Sequence, residues 1–171
     1  MVNVVQRLRA SLCLTLLLGL ATPVALALTA GDPIPDFRLP GLLAKGELSR
    51  QHLLGRVIYL DFWASWCGPC RKSMPALDEL YRQFGDQGFA VVAINLDKSE
   101  GEARDFLMRF PVSYPVLKDD GRSFVRFALT GLPQGYLLDR QGRVTAVHKG
   151  FQQGDERLLK NQIVRLLKEG S

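Results

Sequence analysis

The chain has 171 residues, room for one domain with little left over. At 47% hydrophobic and 23% charged residues it has a globular composition, which excludes wholesale disorder. A net charge of +5, scattered along the chain, is too mild to argue for nucleic acid, and three cysteines (Cys13, Cys67 and Cys70) are too few for a disulfide scaffold or a four-thiolate zinc site.

The first segment reads as an address. Arg7 and Arg9 precede an uncharged stretch from Ala10 to Gly31, densest in apolar residues from Leu12 to Leu20. Ala25-Leu26-Ala27 then supplies the small-x-small pattern of a cleavage site. Residues 1–27 are expected to be a signal peptide, leaving a domain over 28–171. The alternative is an uncleaved N-terminal membrane anchor, which Pro23 and the interspersed threonines weaken as a stable span. A lipoprotein is disfavoured because Cys13 lies inside the apolar run. Cleavage would remove Cys13, Arg7 and Arg9, lower the net charge to +3, and leave Cys67 and Cys70 as the only cysteines. In an oxidising compartment such a pair is either a structural bridge or a working redox couple.

Gly31 to Gly41, rich in proline and glycine, is expected to be extended, and Leu48 to Leu54 to form a short helical turn. Val57 to Ala64 is a near-continuous apolar and aromatic run, the pattern of a strand buried on both faces. From Cys70, the residues Met74, Leu77, Leu80, Tyr81 and Phe84 recur at helical spacing until Gly85 and Gly88. Phe89 to Leu96 predicts a second buried strand. Glu100 to Phe110 predicts a helix stopped by Pro111. Tyr114 to Leu117 predicts a short strand and Ser123 to Leu129 a short helix. Tyr136 to Leu138 and Val144 to Val147 flank Asp139-Arg140-Gln141-Gly142 as a β-hairpin. The last helix is expected from Asp155 to Lys168, with Leu158, Leu159, Ile163, Leu166 and Leu167 as its apolar stripe. Strands alternating with helices and then closed by a hairpin predict an α/β fold with a mixed central sheet and helices on both faces.

The chemistry gathers where the first buried strand meets its helix. Cys67 lies at the turn that opens the helix, where unpaired N–H groups and the dipole stabilise a thiolate. Cys70 stands one turn on, close enough to bond the same sulfur. Gly68 permits the tight turn, and Pro69 suits the start of a helix. Cys67 is therefore expected to attack a substrate disulfide and Cys70 to resolve the mixed disulfide. A purely structural bridge over two intervening residues would constrain little chain entropy. Asp61 interrupts the apolar run of the central strand. Burial should raise its pKa and suit it to accept the Cys70 proton, whereas at an exposed strand end it would be an ordinary acid. Pro133, in Gly131-Leu132-Pro133-Gln134-Gly135, has no special role from spacing alone. His52 and His148 read as surface or packing residues.

Asp61-Phe62-Trp63-Ala64-Ser65-Trp66-Cys67-Gly68-Pro69-Cys70 resembles the thioredoxins, and specifically the exported branch that includes TlpA, ResA and CcmG (also called DsbE). The resemblance runs from about Gly31 to the last helix. It implies the thioredoxin fold, with Asn95 to Lys118 as the insertion of the TlpA-like branch and Pro75 as the proline that kinks the active-site helix. It implies a cis Leu132–Pro133 bond facing the cysteines, a redox-active Cys67–Cys70 disulfide, Trp66 packed beside the site, and Gly150 as a point of close substrate approach. Gln134-Gly135 replaces a polar pair common in the family, and Asp61 matches thioredoxin itself where many TlpA-like members carry asparagine. The implied activity is reduction of protein disulfides, with apocytochrome c as one client and a membrane electron carrier of the DsbD or CcdA kind as donor. No cofactor, metal or oligomer is expected.

Three other functions are weighed. A dithiol oxidant shares the same residues, since the dipeptide between the cysteines sets the potential only approximately. A thiol peroxidase of the peroxiredoxin type needs threonine or serine three residues before the cysteine and a proline ahead of it, where this chain has Ala64 and Leu60. A copper chaperone would use Cys67, Cys70 and His148, but the tight Gly-Pro turn favours disulfide closure.

Overall fold

The computed structural model describes residues 27–169, so the expected leader, apart from Ala27, lies outside the described residues. Among the described residues no helix is long and apolar enough to cross a membrane.

The leading segment forms a small antiparallel pair, β1 (Arg38–Pro40) and β2 (Glu47–Ser49). The sequence reading missed it, because three residues are too few for alternation to register. A 3-10 turn over Arg50–Leu53 follows, and the Ser49 N–H donates to His52 Nδ1 at 3.0 Å. Next come β3 (Val57–Trp63), α1 (Cys70–Phe84), β4 (Phe89–Asn95), α2 (Glu100–Arg109) and β5 (Val116–Lys118). The chain ends with α3 (Ser123–Arg126), β6 (Gln134–Leu138), β7 (Val144–Lys149) and α4 (Asp155–Glu169).

The main sheet has the order β5-β4-β3-β6-β7. β3, β4 and β5 are parallel, while β6 runs against β3 and β7 against β6. The sheet is mixed, as expected, and β3 is its centre. Every residue of β3 and of β4 is buried, which is why both read as unbroken apolar runs.

Side-chain alternation along β3 divides the core in two. Val57, Tyr59 and Trp63 join a cluster with Cys67, Cys70 and Met74, together with residues of α1, α2 and α4. Ile58, Leu60 and Phe62 join the other, with Ile34, Phe37 and Leu39 from the leading segment and Phe127 just after α3. One face therefore carries the three long helices. The other is covered by the one-turn α3 and by the leading segment, tethered through bridges from Pro33 to Arg143 and from Gly41 to Leu117.

Several boundaries move. β5 begins at Val116, two residues later than expected. α3 stops after one turn, and Ala128 adopts a left-handed conformation with φ of 49°. Leu158 does not belong to the buried stripe of α4. It is 54% exposed, and Leu159, Ile163, Leu166 and Leu167 form that stripe.

Candidate active site

β3 ends at Trp63, and the chain must turn over the sheet's edge before α1 begins. Asp97, just past β4, holds that turn. Its carboxylate accepts from the Ser65 N–H at 2.8 Å, the Ser65 hydroxyl at 3.0 Å and the Asn95 side-chain amide at 2.8 Å. Asp97 and Asn95 are both buried, so these charge-assisted bonds are shielded from water. Trp66 then projects outward, 68% exposed, and Cys67 turns back inward.

Cys67 and Cys70 form a disulfide and are 4% and 0% exposed. α1 starts at Cys70 with Pro69 as its N-cap, so Cys67 lies just off the helix N-terminus. The Cys70 N–H donates to Cys67 Sγ at 3.3 Å, while the N–H groups of Arg71 and Lys72 are used by the Gly68 and Pro69 carbonyls. One backbone donor and the positive end of α1 therefore act on the Cys67 sulfur, and both stabilise a thiolate more than a thiol. Pro75 lies inside α1, as the resemblance implied.

Asp61 sits in the middle of β3, flanked by Ala93 of β4 and Gly135 of β6. It is 1% exposed, and its Oδ2 has no hydrogen-bond partner. Burial pushes its pKa up to about 7. Its side chain shares the face of β3 that carries Tyr59 and Trp63, the face on which both cysteines lie. Burial also raises the Tyr59 and Tyr114 pKa values, and the Asp61 charge adds to both shifts.

The Leu132–Pro133 bond is cis. Leu132 packs partly buried against the cluster that contains the cysteines. The Pro133 carbonyl accepts from the Gly150 N–H at 2.8 Å, which ties the loop to the end of β7. Gly150 has φ of +77°, a conformation that glycine adopts without strain. Gln134, buried next to Pro133, fastens the loop from below. Its Oε1 accepts from the Thr130 N–H and hydroxyl at 3.0 and 3.1 Å, and its Nε2 donates to the Tyr136 hydroxyl. His148 stacks on Tyr59, and among the described residues no three His, Cys, Asp or Glu side chains are grouped as metal ligands.

The settings expected of Cys67, Cys70 and Asp61 are those observed, because they are local or follow from strand burial. The sequence reading missed Asp97, Ser65 and Asn95, which meet across the sheet, and it gave Gln134-Gly135 no structural role. An acid two residues past a buried apolar strand was the only available signal for Asp97.

A family model described as Redoxin matches residues 29–163. The thioredoxin-like protein YneN of Bacillus subtilis is 35% identical over 123 residues, covering 70% of this chain and 71% of the relative. The thiol-disulfide oxidoreductase ResA of Bacillus thuringiensis is 29% identical over 123 residues, covering 71% and 70%. A crystal structure from Chlorobium tepidum, assigned as thiol:disulfide interchange protein DsbE, superposes with a TM-score of 0.79 at 41% identity, covering 82% of this chain and 99% of that one. With the helix-mouth disulfide and the thioredoxin fold in place, these likenesses make the chain a member of the redoxin family, a thiol–disulfide oxidoreductase of the ResA and DsbE type.

Proposed function

We propose that the chain is an exported reductant of protein disulfides. The observation that carries this reading is the pairing of Cys67, at the positive end of α1, with a buried Asp61 whose pKa is raised to about 7. In the reduced enzyme the Cys67 thiolate attacks a substrate disulfide and displaces one substrate sulfur. Cys70 then attacks Cys67 Sγ, the second substrate sulfur leaves, and the enzyme disulfide forms. Asp61 takes the Cys70 proton, since a carboxyl with a pKa near neutrality can both accept and release one at physiological pH. Leu132, Pro133 and Gly150 form the rim against which an extended substrate segment lies, and Trp66 provides an exposed aromatic flank.

The leader-like residues 1–27 support export to the periplasm or its equivalent, with residues 28–171 as the working domain. A reductant there needs electrons delivered across the membrane, so a donor of the DsbD or CcdA type is the partner and apocytochrome c a candidate client.

An equilibrium redox titration against glutathione or dithiothreitol, with an insulin-reduction assay, tests the direction of electron flow. The expected potential is near that of thioredoxin, about −270 mV, whereas a value near about −120 mV would make the protein an oxidant. Cys67→Ser should abolish turnover, and Cys70→Ser should accumulate mixed disulfides.

A further inference from the structure

Asp61 pairs with Gly135, and Gly135 pairs with His148, so the three form one row across β3, β6 and β7. Directly paired residues of antiparallel strands share a face. Tyr59, two residues before Asp61, shares it too. The middle position of the row has no side chain, and a Cβ there would collide with the Tyr59 hydroxyl. The phenol therefore occupies the slot that Gly135 leaves. From that slot its oxygen meets His148 Nδ1 at 3.3 Å, with the two rings stacked 5.6 Å apart. The Asp61 charge acts on the same phenol, so carboxyl and hydroxyl are close enough to interact across the row. Asp61 Oδ2 and His148 Nε2 are both buried without a hydrogen-bond partner, so the row has an open polar end on each side. The outer end borders a cavity of about 180 Å³ lined by Tyr59, His148, Gly150 and Asp155, roomy enough for water.

We propose that Tyr59 and His148 are positioning residues for Asp61: the phenol hydroxyl, seated in the Gly135 slot, passes the charge state of His148 to the carboxyl that takes the Cys70 proton. This rests on the reading of Asp61 as proton acceptor given above. When His148 is an imidazolium, its Nδ1–H donates to the Tyr59 oxygen. The hydroxyl proton is then free to point toward Asp61 and favour its carboxylate. When Nδ1 is unprotonated it claims that hydroxyl proton, and Asp61 loses the donor. Burial lowers the His148 pKa, with opposing contributions from Gln162 and Asp155 of α4. His148 Nε2 and Gln162 Oε1 are both buried without a hydrogen-bond partner. The other groups facing the row are Tyr114, which feels Asp61, Tyr59 and Asp78, and Lys149, which lines the cavity. Asp155 acts on both Tyr59 and His148. None of these shares the Gly135 slot, so the coupling depends on the Tyr59 hydroxyl.

The test combines two readouts on the full-length protein. Carboxyl-labelled aspartate NMR of the oxidised form follows Asp61 ionisation, and stopped-flow measurement of mixed-disulfide release follows the Cys70 step. In the wild type, Asp61 should titrate in a broadened, coupled curve. In Tyr59→Phe and in His148→Gln it should titrate in one step, and the His148-linked step in the pH profile of release should be lost. Neither variant should slow release further in an Asp61→Asn background, because each acts only through that carboxyl. An Asp61 curve unchanged in both variants, with Asp61→Asn still slowing release, overturns the coupling and leaves the acceptor reading intact. Release at the wild-type rate in Asp61→Asn at every pH overturns the acceptor reading, and the proposal with it. Loss of stability without a changed titration would mark Tyr59 as packing alone, which also overturns the proposal.

Discussion

Asp61 carries a cost that its surroundings do not offset. Its carboxyl has an ordinary pKa of 3.8 and a folded pKa of about 7, raised by burial. The folded state therefore binds this proton more tightly than the unfolded state does. The stability linked to Asp61 is fully present below about pH 4, falls as the pH rises toward 7, and is flat above that. Asp61→Asn removes the ionisation. It should stabilise the oxidised protein at pH 8 by up to roughly 4 kcal/mol and flatten the decline between pH 4 and 7. Urea unfolding midpoints at pH 5 and pH 8 check this. A wild type whose stability is independent of pH over that interval would refute the raised pKa. This acid was legible in the sequence because it interrupts Val57 to Trp63, a run too apolar and too β-rich to be anything but central. Tyr59 and Gln134 were not legible. Each gains its role from a partner on another strand, and a single sequence does not announce such meetings.

At the scale of elements, the site is a turn between β3 and α1 clamped by a carboxylate from the end of β4. Asp97→Ala would leave the buried amide of Asn95 and the N–H of Ser65 without their acceptor. Hydrogen bonds to a charged group contribute about 1.5–3 kcal/mol each, so the variant should lose at least about 2 kcal/mol of stability. Turnover should fall as well, since the turn that presents Trp66 and Cys67 would lose its tie to the end of β4. Chemical denaturation and insulin reduction read the two effects separately. Long elements were readable: β3, β4, α1, α2 and α4 stand within a few residues of their expected limits, because burial on both faces or helical periodicity repeats along them. The short ones were not. β1 and β2 pair with each other through backbone bonds that any extended residues could make, and α3 is cut to one turn by the backbone at Ala128.

For the molecule as a whole, the decisive arrangement is a sheet with three helices on one face and the leading segment on the other. Ile34, Phe37, Leu39 and Leu53 belong to the cluster beneath Phe62 and Tyr136. A truncation beginning at Val57 would keep Cys67, Cys70, Asp61 and Pro133 yet uncover that cluster. It should bind a hydrophobic dye, lose its near-ultraviolet dichroism and unfold without cooperativity. Calorimetry of the truncated and full-length proteins would distinguish this from a mere loss of a few contacts. The overall class was legible because the order of strands and helices constrains the topology. The covering of the second face was not, because a proline- and glycine-rich stretch has no periodicity to read.

The bridges at Pro33 and Gly41 anchor one stretch of chain to both borders of the sheet, at Arg143 just before β7 and at Leu117 within β5. The ten-residue signature around the cysteines can be copied into another protein, but this belt cannot be left behind. Anyone transplanting the redox centre must carry the buckle as well as the blade, and a proteolytic nick at the exposed bend from Leu43 to Gly46 would loosen the far side of the sheet while leaving every reactive atom in its covalent place.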